Sequence, residues 1–187
     1  MNFAVNVPIN SLSFGQVSVA ILRELYFREL QPSIFVIGNV DLSAQQQDLD
    51  FFKWIESCVK KAPLSHSRTD PAFKLWHLQN GLESVSLRQV LLSFYELDSP
   101  TLEEVNVVKN NNRVLFTSKH AVSMFSNAGC ENVTYSPLGF DRFNFFAKEK
   151  QYFTDGRITF NLTGKLEKRK HHEKIVKAWM KKFINNK

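Results

Sequence analysis

The sequence predicts an α/β fold: an open, mostly parallel, Rossmann-like sheet with helices on both faces. Three observations carry this expectation. Strand-like and helix-like apolar periods alternate along most of the 187 residues. The second strand is an unbroken apolar run, Ile34-Phe35-Val36-Ile37, of the kind buried on both faces of a parallel sheet. Turn-forming residues separate the elements, so each is short and bounded.

In chain order, Phe3 to Val7 alternates and stops at Pro8, which suits a first strand, and Asn10-Ser11-Leu12-Ser13-Phe14-Gly15 has turn chemistry. From Gln16 to Leu30, Val17, Ile21, Leu22 and Leu25 share one helical face, with Arg23, Glu24 and Arg28 on the other. The buried strand spans Ser33 to Gly38. Leu49, Phe52, Ile55 and Val59 then space a helix within Gln45 to Lys61. Strands are expected at Phe73 to Leu78 and Gln89 to Leu97. The helix from Thr101 to Lys109 opens with a Thr-x-x-Glu capping box. Arg113 to Thr117 is the next strand; Ser118 caps a helix to about Asn127, which Gly129 stops. Val133 to Tyr135 is a short strand before Pro137. After a polar and aromatic connection from Phe140 to Asp155, a strand over Arg157 to Thr163 and a helix over Lys168 to Phe183 restart the alternation. The alternation predicts a compact Rossmann-like domain at 1–150.

Composition narrows the class. With 43% hydrophobic and 22% charged residues the chain is globular, and no apolar run approaches a membrane span. The N-terminus has no basic region before its apolar residues and breaks at Pro8, so a strand and a cytoplasmic location are expected in place of a signal peptide. Cys58 and Cys130 make no Cys-x-x-Cys pair and are expected as buried thiols, and no metal site is expected. The net charge of +6 is local: residues 165–187 hold nine Lys/Arg and two Glu, and the remainder is close to neutral. Such a segment is a phosphate-binding element, a nucleic-acid patch or a solvated face. The phosphate loops, dinucleotide loops, serine-hydrolase elbows and zinc-protease helices that short motifs mark are absent from the sequence.

Ligands in open α/β sheets bind beyond the carboxyl ends of the strands, which ranks the loops. Gly164-Lys165-Leu166-Glu167-Lys168-Arg169-Lys170 follows an expected strand and opens an expected helix. Cations there oppose the helix dipole unless an anion compensates, so Lys165 and Lys170 are candidate phosphate ligands. In Phe94-Tyr95-Glu96-Leu97-Asp98-Ser99-Pro100 two carboxylates share a face if the segment is extended. Glu96 and Asp98 then orient sugar hydroxyls or supply a general base, although Asp98 or Ser99 is equally suited to cap the next helix. His77 closes another strand at a ligand position, with a core histidine as the alternative. Ser118, Gly139 and Asp141 stand after strands in the same sense.

These segments resemble glycosyltransferases of the two-Rossmann-domain (GT-B) fold, particularly the retaining, family-four-like group. The resemblance runs through Tyr95-Glu96-Leu97-Asp98, Val114-Leu115-Phe116-Thr117-Ser118, Met124-Phe125-Ser126-Asn127-Ala128-Gly129 and Pro137-Leu138-Gly139-Phe140-Asp141. It continues in Gly164-Lys165-Leu166, Lys170-His171 and the helical Ile175, Val176, Ala178 and Trp179. The resemblance implies transfer of a sugar from a nucleotide-sugar donor to a glycan, lipid or protein acceptor, with no metal and no cofactor besides the donor. It implies Glu96 and His77 as catalytic residues, Lys165, Lys170 and Gly15 toward the donor phosphates, and Asp98, Ser118, Gly139 and Asp141 along the acceptor cleft. It further implies that residues 151–187 begin a donor-binding domain completed by a missing C-terminal domain or a second chain, so that the 187-residue chain alone is inactive. The alternative is a non-catalytic α/β binding module whose basic C-terminal helix contacts nucleic acid or an acidic partner; the resemblance argues against nucleic acid.

Overall fold

The computed structural model describes residues 2–147, 156 and 159–184, in two compact units, Met1–Phe146 and Ala147–Lys187. The first unit holds the strands β1 (Ala4–Val7), β2 (Ser33–Val36), β3 (Ala72–Leu75), β4 (Gln89–Ser93), β5 (Arg113–Phe116) and β6 (Val133–Tyr135). All pair in parallel, in the order β2-β1-β3-β4-β5-β6. The helices of this unit are α1 (Ser13–Phe27), α2 (Leu49–Ser65), α3 (Leu102–Lys109) and α4 (Lys119–Asn127). The open parallel α/β class expected from the sequence is the observed one.

Register sorts the side chains into two cores. Val5 lies beside Ile34 and Phe73, and Leu75 beside Leu92, on one sheet face. There Val19 and Leu22 of α1 and Phe51, Ile55 and Cys58 of α2 bury the sheet residues. Leu91, Val114 and Phe116 point to the opposite face and meet Val105 and Val108 of α3 with Ala121 and Phe125 of α4. The Phe116 and Phe125 rings stack at 4.8 Å. Both thiols are buried, and burial pushes Cys58 and Cys130 above their usual pKa.

Helix ends follow their local chemistry. Asp48 accepts from the Phe51 amide at α2, Thr101 and Glu104 close a capping box at α3, and Ser118 accepts from the Ala121 amide at α4.

Two connections depart from the simple alternation. Residues 76–88, between β3 and β4, form turns in place of a helix. They are held to the sheet from below: Lys74, 2% exposed, donates to the carbonyls of Asn80 at 2.9 Å and Glu83 at 2.6 Å. Gln89 donates to the Gly81 carbonyl and to Asn111 Oδ1. Burial pulls the Lys74 pKa down, and the Glu83 carboxylate acts in the other direction. β4 also ends at Ser93, short of the expected Leu97. Its neighbours stop at Leu75 and Phe116, which pair with Leu92 and Ser93, so no ladder remains for residues 94–97.

In the second unit, the expected strand at Arg157 to Thr163 lies partly outside the described residues, and 159–163 form no strand. A lone strand has no ladder to join. The expected helix from Lys168 is broken. Lys168–Lys170 make a single 3₁₀ turn, His171 adopts a left-handed φ of 55°, and α5 runs over His172–Phe183. Phe160 meets the rings of Trp179 and Phe183 at 6.0 and 5.7 Å. Among the described residues, no helix is long and apolar enough to cross a membrane.

Candidate functional site

The strand order sets a switch point between β1 and β3: from β1 the chain moves to β2 on one side, and later returns to β3 on the other. Crevices form where strand order reverses, at the carboxyl ends, here beyond Val7 and Leu75. The first turn of α1 reaches into this position. Phe14 lies 4.3 Å from the His77 ring, 4.4 Å from Phe94 and 6.0 Å from Trp76, by ring centroids. Residues following β1, β3 and β4 therefore meet in one aromatic cluster, with His77 exposed at its edge.

Gly15 is required beside it. A Cβ there would stand 2.3 Å from both the backbone oxygen and Oδ1 of Asn10, too close for any other residue. Two oxygens thus face Gly15. The Asn10 side chain also accepts from the Leu12 amide, which holds the loop after β1 against the start of α1.

Glu96 follows Phe94 by two residues and is exposed. Glu96 and Asp98 lie beyond β4, which ends at Ser93. Asp98 instead lies 3.5 Å from His120 Nε2, in the first turn of α4, with its own side chain fully exposed. His120 stands two residues after Ser118, beyond the carboxyl end of β5, and that place is its signal in the sequence. Ser118 serves as the α4 cap. Tyr95 donates its hydroxyl to Glu104 and to the Ser99 carbonyl, and desolvation with the adjacent Glu104 carboxylate pushes its pKa up to about 12.

The remaining candidates lie elsewhere. Gly139 and Asp141 line a groove against α1. Asp141 accepts from the backbone amides of Phe143 and Asn144, closing a turn. Lys165 and Lys170 are exposed in the second unit, and both precede α5, which starts later than the sequence implied. Among the described residues no group of three His, Cys, Asp or Glu side chains gathers to hold a metal ion.

An exposed imidazole beside aromatic faces, with a carboxylate two residues beyond the cluster, suits a polar ligand that also has an apolar face. Rings pack on C–H surfaces, and the imidazole and carboxylate exchange hydrogen bonds with hydroxyls. Compared with known proteins, the chain matches no protein-family model, and no curated protein matches it.

Proposed function

We propose that this chain is the acceptor-side part of a glycosyltransferase that moves a sugar from a nucleotide-sugar donor to an acceptor. The observation that carries the reading is the meeting of Phe14, His77 and Phe94 at the carboxyl end of the sheet, beside the switch point. Sugars offer aromatic rings a C–H face and offer His77 and Glu96 their hydroxyls. In this reading Glu96 acts on the acceptor hydroxyl and His77 orients it. Lys165 and Lys170 neutralise the donor diphosphate.

The test is a titration of the chain with UDP-glucose, GDP-mannose and a panel of oligosaccharides, followed by amide chemical shifts. Nucleotide sugars are expected to shift Lys165 and Lys170, and an accepted glycan to shift His77 and Phe94. No response to any of these, together with tight oligonucleotide binding that weakens steeply with salt, overturns the reading in favour of a nucleic-acid module. In an active assembly with a donor domain, Glu96→Gln is expected to cut turnover far more than it changes stability.

A further inference from the structure

Within the first unit, on the sheet face that carries α1, the side chains of Phe73, Leu92 and Leu115 form the floor of an open groove of about 900 Å³. Val17 and Ile21 of α1 make one wall, and residues 136–143 and Phe145 make the other. A volume in this range with apolar walls is that of a small-molecule site.

One buried cation lines it. Arg23 of α1 is 2% exposed, and its guanidinium is stacked between Phe51 at 4.2 Å and Phe143 at 3.8 Å. Nη1 donates to Asp48 Oδ2 at 3.3 Å. Nε and Nη2 are also buried, and neither meets an acceptor among the described residues. These two nitrogens form the edge of the guanidinium whose N–H bonds run parallel, the edge that takes both oxygens of a carboxylate at once. Buried donors of a charged group left without an acceptor are costly, and native structures rarely keep them so. Burial lowers the Arg23 pKa, while Asp141 and Asp48 work to raise it.

We propose that the groove binds a long-chain carboxylate, its head on Nε and Nη2 of Arg23 and its chain along Phe73, Leu92 and Leu115. The chemistry selects this class. Phe73, Leu92 and Leu115 of the floor and Val17, Ala20 and Ile21 of α1 make a continuous apolar lining, so the body of the ligand is apolar. The charged side chains lining the groove are Arg23, Arg142, Glu24 and Asp141, two of each sign, and Asp48 adds a negative charge at Nη1. A monoanion is therefore tolerated better than a phosphate dianion, which would repel Asp48 and Asp141 twice as strongly. Phe143 covers the guanidinium, so the head enters as that ring moves aside. The ring belongs to a segment tethered at Asn144, whose side-chain amide donates to Gln45. The site is independent of sugar transfer.

The experiment is a calorimetric titration of the whole chain with dodecanoate, dodecanol, dodecyl phosphate and acetate. Dodecanoate is expected to bind at least about tenfold more tightly than each of the other three. Arg23→Met should bring dodecanoate down to the dodecanol level while dodecanol is unchanged. Ala20→Phe, on the groove wall, should weaken both dodecanoate and dodecanol. The proposal is overturned if acetate binds as well as dodecanoate, if dodecyl phosphate binds better, or if Arg23→Met keeps the preference for the carboxylate. Should Arg23→Met fail to fold, unchanged dodecanoate affinity in Ala20→Phe overturns it equally.

Discussion

Helices α1 and α5 are both amphipathic, yet their apolar stripes meet different fates. In α1, Val19 and Leu22 are fully buried against the sheet. In α5, Ile175, Val176, Trp179 and Met180 remain between 44% and 47% exposed, and α5 has no buried residue. The first unit supplies six paired strands as cover, whereas the described residues of the second supply no strand. An apolar stripe is thus a demand written locally and met only by non-local partners. Burial of each such side chain is worth about 1.5–3 kcal/mol, so the two regions differ greatly in what holds them.

The largest effect is expected in the core. Phe116→Ala, which removes a fully buried ring stacked on Phe125, is expected to cost about 3–5 kcal/mol in denaturant unfolding. A smaller loss would mean that the α3/α4 side is more loosely packed than its burial indicates.

Lys74→Met comes next. It leaves the Asn80 and Glu83 carbonyls without their donor and is expected to cost about 2–3 kcal/mol, because residues 76–88 have no helix of their own to retain them. The pH dependence has a definite sign. Since burial lowers the folded pKa from 10.5, the unfolded chain binds more protons in the window just below 10.5. This residue's contribution therefore rises with pH through that window and is flat below it. Unfolding midpoints of the wild type and Lys74→Met, measured at neutral pH and as pH approaches 10.5, should diverge.

Thr101→Ala removes one half of the α3 capping box and is expected to cost about 1 kcal/mol. Its neighbour Tyr95 provides a spectroscopic check on the same corner. The phenol is raised from 10.0 to about 12, so its stabilising contribution is complete below pH 10.0 and is lost as pH rises through about 12. Tyr95 should ionise late in an ultraviolet titration, and Glu104→Gln should bring its pKa down. At the small end, Trp179→Ala in α5 is expected to change the unfolding of the first unit by less than about 0.5 kcal/mol. A larger effect would show that α5 is covered in solution after all.

Much of this was legible in the residues, for reasons of range. Caps at Thr101 and Ser118 and the apolar runs at Ile34 and Val114 act over a few positions, so helices and strands fell near their expected places. The candidate site was legible only in outline. Its loops are those that follow strands, but the contact of Phe14 with His77 and Phe94 joins segments far apart in the chain. The pairing of Asp98 with His120 likewise spans a helix and a strand, and no local pattern announces it.

By itself, then, the sequence determined the alternation of elements, their caps and the concentration of positive charge after Gly164, all of which depend on neighbours within a turn or two. Tertiary structure alone decided the strand order that creates the switch point, the early end of β4 and the burial of two cations. In the sequence Arg23 stands on the polar face of its helix, as a charge that ordinarily seeks water. Only the folded chain brings Lys74 two carbonyl oxygens, and only the folded chain closes two aromatic rings over Arg23.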